Sequence, residues 1–164
     1  MSQPPRTLLI READCLATQD DQAHEWRGAS VWCRGGLIER ILAPGENLEP
    51  WVAQADNVID ARHHVVVPGL VNTHHHMVQS LTRAVPAVQN AELFSWLRGL
   101  YPIWSGLTPE MVRVSHQVAM AELLMSGCTT SSDHHYIYPN GIRLDDSIEA
   151  AQRMGIRFVA TRGS

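Results

Sequence analysis

Cysteine, excess positive charge and long apolar runs are all scarce in this chain. Its three cysteines, Cys15, Cys33 and Cys128, are odd in number and far apart, which argues against a disulfide framework and a cysteine-based zinc site. The net charge of −4 argues against a surface for nucleic acid. No run approaches the ~18 apolar residues of a membrane span, and the first residues lack the apolar core of a signal peptide. We therefore expect a cytoplasmic protein that binds neither nucleic acid nor membrane.

The composition is otherwise that of a protein with a packed core, with 45% hydrophobic and 18% charged residues. Residues 1–64 are predicted to form a small β domain, a meander or a small sandwich. Short apolar strands are expected at 8–10, 30–33 and 37–41. The glycine turn at 34–36 suits a hairpin between the last two strands.

A different pattern covers residues 65–164. Strand, helix, strand, helix and strand follow one another, which favours parallel βαβ units. Thr108 is the predicted N-cap of one helix, and Gly127 ends it. Residues 145–146 are the predicted cap of the next helix, and Gly155 ends that one. Two such units in succession favour a barrel over a helix bundle.

The first of these helices carries apolar residues at spacings of three and four, which predicts a single face that packs on the barrel. This stripe consists of Met111, Val114, Val118, Ala121 and Met125. His116 lies outside the stripe, and we expect its side chain to face solvent.

The most informative stretch runs from Val65 to His76 and reads VVVPGLVNTHHH, an apolar strand that ends in histidines. Because side chains alternate along a strand, His74 and His76 should point the same way and His75 the other way. Neutral imidazole is a favoured ligand of zinc and similar divalent metals. The sequence therefore predicts His74 and His76 as ligands of one divalent metal, with zinc preferred.

Residues 68–76 also resemble the first-strand signature of the amidohydrolase superfamily, whose members hydrolyse C–N and related bonds with a metal-activated water inside a (β/α)8 barrel. Residues 36–41 and 58–61 resemble the small β domain that precedes this barrel. Residues 121–130, followed by Asp133, resemble the passage from helix to second strand in the deaminase and chlorohydrolase branch.

The length of the chain limits what it can contain. A complete barrel takes roughly 250 residues, whereas this chain has 164. We expect an α/β fold, the N-terminal part of a (β/α)8 TIM-like barrel, in which residues 65–164 supply the first three strands and residues 1–64 a small β-sandwich domain. The chain would then be a fragment of the full subunit. By resemblance, the remaining ligands and the catalytic residues would lie beyond residue 164.

Four further residues are candidates for substrate binding. Gln79 follows the histidines in the register His-x-His-x-x-Gln, which resembles deaminases of guanine and 8-oxoguanine, where the glutamine binds the purine; a helix-surface glutamine is the alternative. Trp96 and Trp104 could close an aromatic lid over a flat base or belong to the core. His135 could face the substrate or pack beneath a loop.

Taken with the resemblance, these residues predict a metal-dependent hydrolytic deaminase of an aminopurine of the 8-oxoguanine or guanine type, which releases ammonia. A hydrolase of triazines or other aminoheterocycles is one alternative, and a non-catalytic scaffold with the same fold is another. The partner would be a small heterocyclic substrate. The resemblance also implies a homo-oligomer.

Overall fold

The structure, a computed structural model, describes residues 6–163. The chain forms two compact units that divide between Pro68 and Gly69, rather than after residue 64. No helix in the described range is long and apolar enough to cross a membrane.

Residues 6–68 form mainly β structure. The elements there are β1 (Thr7–Arg11), β2 (Cys15–Ala17), β3 (Glu25–Trp26), β4 (Ser30–Arg34), β5 (Leu37–Leu42), the short helix α1 (Glu49–Val52), β6 (Asn57–Asp60) and β7 (Val65–Val66). One sheet has the order β5-β4-β1-β6 and the other the order β3-β2-β7. The predicted hairpin is confirmed: β4 and β5 pair antiparallel, and Gly35 and Gly36 both have positive φ in the turn.

The two sheets of this unit share buried residues. Leu16 from one sheet and Val31 from the other lie in the same apolar cluster, together with Ala13, Ala29 and Ala61. Because a β-sheet hides one face from water only by packing against another layer, this shared cluster accounts for the stability of such short strands.

Residues 69–163 form α/β structure. The elements there are β8 (Leu70–Asn72), two 3-10 helices (Met77–Thr82 and Pro86–Val88), α2 (Leu93–Trp104), α3 (Pro109–Met125), β9 (Cys128–His135), α4 (Leu144–Met154) and β10 (Arg157–Arg162). The three strands are parallel in the order β10-β9-β8, and helices lie between them in the chain. The predicted succession of three strands with intervening helices is confirmed.

The prediction of one continuous strand from Val65 to the histidines is wrong. β7 pairs with β2 in the first unit, whereas β8 pairs with β9 in the second. Pro68 lies between them and has no N–H for a ladder. Gly69 approaches the neighbouring strand so closely that a Cβ there would lie 2.1 Å from Oγ1 of Thr129. The histidines therefore follow the short strand β8 in a loop.

The predicted helix ends agree largely with the structure. The Thr108 side chain accepts a hydrogen bond from the backbone N–H of Met111 at 3.3 Å, and Gly155 closes α4 with φ of 72°. The cap of α4 is Arg143, two residues before the expected cap at 145–146. Its backbone N–H donates to the Asp146 carboxylate at 2.9 Å, so Asp146 lies within the first turn.

The predicted inward face of α3 is wrong. Met125 is 90% exposed, and Met111, Val114 and Val118 are also exposed. The buried residues of α3 are Val112, Ser115, His116, Ala119 and Met120. This second stripe has the same helical spacing, and its members Ala119 and Met120 pack with Met77, Ala151 and Ile156. Spacing alone did not distinguish the two faces, because only the packed neighbours select one of them.

Candidate active site

His74 and His76 come together directly after β8. Their Nε2 atoms lie 3.1 Å apart, and the rings meet edge to face. Nδ1 of His76 donates a hydrogen bond to the backbone carbonyl of His134 at 2.8 Å. That contact places the proton on Nδ1 and leaves the Nε2 lone pair directed at its neighbour, which is how metal-binding histidines are usually oriented. Two imidazole nitrogens converging on one point fit a divalent metal ion.

The third histidine of the run takes no part in this contact. His75 is half-buried, and its Nδ1 atom is buried without a hydrogen-bond partner in the described range. Burial lowers the pKa of His75, and the negative charge of Asp133 offsets only part of that effect. His75 is therefore a neutral residue that helps to shape the loop.

His134 is the histidine of β9 that faces the pair. Its ring stacks on His76 with a centroid distance of 5.6 Å and lies 6.4 Å from the ring of His74. Tyr136 meets His76 edge to face at 5.4 Å. Gly163 leaves room for this arrangement, because a Cβ there would lie 2.6 Å from Nε2 of His134.

A pocket of about 420 Å³ opens beside the three consecutive histidines. Gln79, Trp96 and Arg83 are among its lining residues. Nε2 of Gln79 donates a hydrogen bond to the hydroxyl oxygen of Tyr136 at 2.9 Å. A carboxamide has two N–H donors and an acceptor oxygen. The contact with Tyr136 uses one N–H and fixes the orientation of the group at the pocket wall.

The two tryptophans have different surroundings. Trp104 is fully buried, and its indole N–H donates to Oγ1 of Thr82 at 3.1 Å. Trp96 is half-buried, packs edge to face on Trp104 at 5.3 Å and lines the pocket. Trp96 is therefore placed to contact a ligand, whereas Trp104 supports it from the core. A substrate contact by Trp96 stays a prediction, and the burial of Trp104 does not favour one.

His135 lies away from the pocket. Its ring is fully buried, next to His116 at a centroid distance of 5.7 Å and stacked on Tyr138 at 4.6 Å. Its Nδ1 lies 3.3 Å from Oγ of Ser147. Because successive side chains of β9 point to opposite faces, His134 and His135 cannot both face the pocket. A substrate role for His135 was predicted, and its position does not favour that role.

His116 is likewise buried, contrary to the prediction that it faces solvent. Its Nε2 lies 3.0 Å from Oδ2 of Asp133, which is also buried. Ligating atoms of His116, Asp133 and His135 all lie within 4.8 Å of one another, so their residue types and spacing form a second candidate metal group. The alternation of Asp133 and His135 along β9 was the one sequence signal that could have pointed to this group.

Two effects oppose each other at Asp133. Burial raises the pKa of its carboxyl group, but the hydrogen bond and positive charge of His116, with the hydrogen bond from Met77, outweigh burial. The net effect is to lower the pKa of Asp133. Asp133 therefore remains a carboxylate although water does not reach it.

Residues 65–164, more than half of the chain, match the amidohydrolase family. This chain belongs to the amidohydrolase family. The match includes both histidines of the proposed metal pair, the pocket residues and all of β9.

The chain is similar in sequence to two deaminases. It is 47% identical over 132 residues to an 8-oxoguanine deaminase of Pseudomonas aeruginosa, covering 79% of this chain and 28% of that protein. It is 38% identical over 167 residues to an isoxanthopterin deaminase of an unknown prokaryotic organism, covering 96% of this chain and 33% of that protein. The chain thus spans about a third of the length of the relatives it matches.

The fold also resembles that of a solved structure. Atrazine chlorohydrolase of Arthrobacter aurescens TC1, complexed with zinc, superposes with a TM-score of 0.83 at 29% identity. The match covers 94% of this chain and 35% of that one. The amidohydrolase fold is therefore supported by the family match and by the superposition.

Proposed function

We propose that the protein is a metal-dependent hydrolase that deaminates an amino-substituted heterocycle, and that its substrate is an aminopurine of the 8-oxoguanine or guanine type. The observation that carries this proposal is the convergence of the His74 and His76 Nε2 atoms, 3.1 Å apart, beside a pocket lined by Gln79. The proposal includes one divalent ion, preferably zinc, held by these two histidines and by ligands beyond residue 164. The same proposal gives the intact subunit a (β/α)8 barrel preceded by a small β-sandwich.

The residues of this chain would bind and orient the reactants. When bound, a divalent ion supplies Lewis acidity that activates water near neutral pH. His76 keeps its Nε2 lone pair available because its Nδ1 proton is committed to the His134 carbonyl. Trp96 offers an apolar wall for a flat ring, and the buried packing on Trp104 holds that wall in place. The group that transfers the proton to departing ammonia is expected beyond residue 164.

Gln79 supports a purine over other heterocycles. The oxo and ring N–H groups of a guanine-type base form an amide-like edge, which requires a donor and an acceptor side by side. Because Tyr136 holds one N–H of Gln79, the remaining N–H and the carboxamide oxygen can present such a pair. The similarity of the chain to the two deaminase relatives supports this proposal.

A second candidate is a triazine hydrolase, which the superposition on atrazine chlorohydrolase favours. Triazines offer ring nitrogens and exocyclic amines but not the amide-like edge. The non-catalytic scaffold that the sequence left open is disfavoured by the preserved His74 and His76 pair. The two hydrolase candidates therefore differ in how much they depend on Gln79.

The experiment compares Gln79→Ala and Gln79→Glu with the unaltered protein on 8-oxoguanine, guanine and an aminotriazine. Each hydrogen bond left unsatisfied in a buried complex costs about 1 to 3 kcal/mol, so kcat/KM on the purines should fall roughly ten- to a hundredfold or more. Gln79→Glu should be worse, because it loses the amide donor and brings a negative charge beside the pocket. Metal content should not change.

Gln152→Ala is the matched control, because Gln152 is an exposed residue of α4 that does not line the pocket. It should keep unaltered kinetics on every substrate. Purine activity that survives both Gln79 variants, or turnover of the triazine alone, would transfer the assignment to the triazine hydrolase.

A further inference from the structure

The end of β9 is tied to the loop that carries the metal pair by four hydrogen bonds. The backbone N–H of His134 donates to the carbonyl of His75 at 2.8 Å, and Nδ1 of His76 donates to the carbonyl of His134 at 2.8 Å. The third bond runs from the backbone N–H of Met77 to Oδ1 of Asp133 at 2.7 Å. The fourth bond runs from the hydroxyl of Ser132 to the carbonyl of Thr73 at 2.5 Å, before the two histidines. The bond from Met77 to Asp133 is the one by which a side chain of β9 holds the backbone after His76.

The other oxygen of Asp133 is held just as firmly. Oδ2 lies 3.0 Å from Nε2 of His116, and Nδ1 of His116 lies 2.8 Å from the backbone carbonyl of Val112. His116 and Asp133 are thus a buried pair joined by a hydrogen bond, and the backbone of α3 holds His116 in turn.

Burying such a pair costs free energy, because both side chains lose their hydration. An apolar pair of similar volume would frequently be as stable. Here the pair fixes Asp133, and Asp133 fixes Met77, the residue directly after His76. Met77 is itself fully buried, so the backbone beyond His76 is held by its side chain as well as by this bond.

We propose that His116 and Asp133 act as a positioning pair that holds the backbone after His76 and so aims its Nε2 at the metal. The inference rests on the metal site of the proposed function. His116 and Asp133 touch neither the pocket nor the proposed ligand atoms, and they act through Met77. Because His116, Asp133 and His135 also form a candidate metal group of their own, a second metal equivalent is an outcome that the test must distinguish.

The test measures zinc affinity and the visible absorption of the cobalt-substituted form in the intact protein, with Asp133→Ala, Asp133→Asn and Ser147→Ala. An asparagine can still accept from Met77 and can donate to a neutral His116, whereas an alanine can do neither. Ser147→Ala is the control, because it removes a buried hydroxyl beside His135 without touching the loop.

Partners that orient metal-binding residues typically contribute 10- to 100-fold in metal affinity, so Asp133→Ala should weaken zinc binding by roughly that factor and alter the cobalt spectrum. Asp133→Asn should recover most of the affinity, and Ser147→Ala should match the unaltered protein. If Asp133→Ala does not fold, Asp133→Ala combined with His116→Leu removes the buried imidazole that would otherwise lose its partner. This double variant still lacks the bond to Met77, so the same loss is expected.

Three results would overturn the inference. Unaltered affinity and spectrum in the folded Asp133→Ala or double variant would show that the bond to Met77 has no influence on the metal. Equal losses of affinity in Asp133→Ala and Asp133→Asn would also contradict the inference, because the asparagine can still accept the hydrogen bond from Met77. A second metal equivalent that disappears in Asp133→Ala would make the group a ligand set. By contrast, an unaltered protein that binds no metal would contradict the proposed function itself.

Discussion

The two faces of β9 at its C-terminal end carry neighbouring histidines with different surroundings. His134 is exposed and stacks on His76, whereas His135 is fully buried beside His116. One step along a strand turns a side chain from one face to the other. Adjacent identical residues can therefore belong to different sites, one that meets a ligand and one that supports the fold.

The polar groups on the two faces also have different roles. On the buried face, Asp133 and His116 satisfy each other and two backbone groups, because an unpaired charge is expensive without water. On the open face, His74 and His76 direct nitrogen lone pairs at a shared point. The first arrangement fixes the geometry, and the second leaves binding capacity for a metal.

The largest expected effect lies on the open face. Replacing His74 or His76 by Ala removes a proposed ligand, so kcat/KM should fall by more than the roughly 100-fold upper value typical of residues that only orient ligands. Metal content by elemental analysis should fall with it. His63→Ala, at an exposed histidine of the first unit, is the control and should retain both. Equimolar metal that survives replacement of both His74 and His76 would contradict the assignment.

A smaller effect should separate the two histidines of β9. His135→Ala leaves a cavity in a packed region and should lower the free energy of unfolding by about 2 to 4 kcal/mol. His134→Ala should change it by less than about 0.5 kcal/mol, because the side chain is exposed, and should lower kcat/KM about tenfold. Urea unfolding and steady-state kinetics of both variants provide the measurement. Similar stability losses in the two variants would remove the distinction between the faces.

The smallest effect concerns acid stability. Burial and the positive charge of His116 lower the pKa of His135, so the unfolded chain takes up a proton near its usual pKa of about 6.5 before the folded chain does. The unfolded state then binds more protons, and the stability falls as the pH falls from 7 towards 5. His135→Phe keeps a ring but cannot titrate, so its stability should fall less over this interval.

Urea unfolding of the metal-free protein at the two pH values measures this difference. Ser147→Ala serves as the control, because it perturbs the same packing while His135 can still titrate. Identical pH dependence in His135→Phe and the unaltered protein would show that His135 does not contribute to it.

Several local features could be predicted because their causes are local. His74 and His76 are separated by a single residue, which keeps them close although they follow β8 in a loop, and the hairpin needs only two glycines that accept positive φ. The capping of α3 by Thr108 depends on atoms within one turn. In each case the interacting groups are close in the sequence, so the local geometry can be predicted from the order of the residues.

What only the tertiary structure decided was which face of each element would be buried. Two stripes on α3 have the same spacing, and contacts with α4 and with Met77 selected the one that carries His116. The division at Pro68 depended on different partners for β7 and β8. The sequence by itself determined the donors and their local spacing. Burial depends on the free energy of packing against distant residues, so the pairing of His116 with Asp133 emerged only in the folded chain.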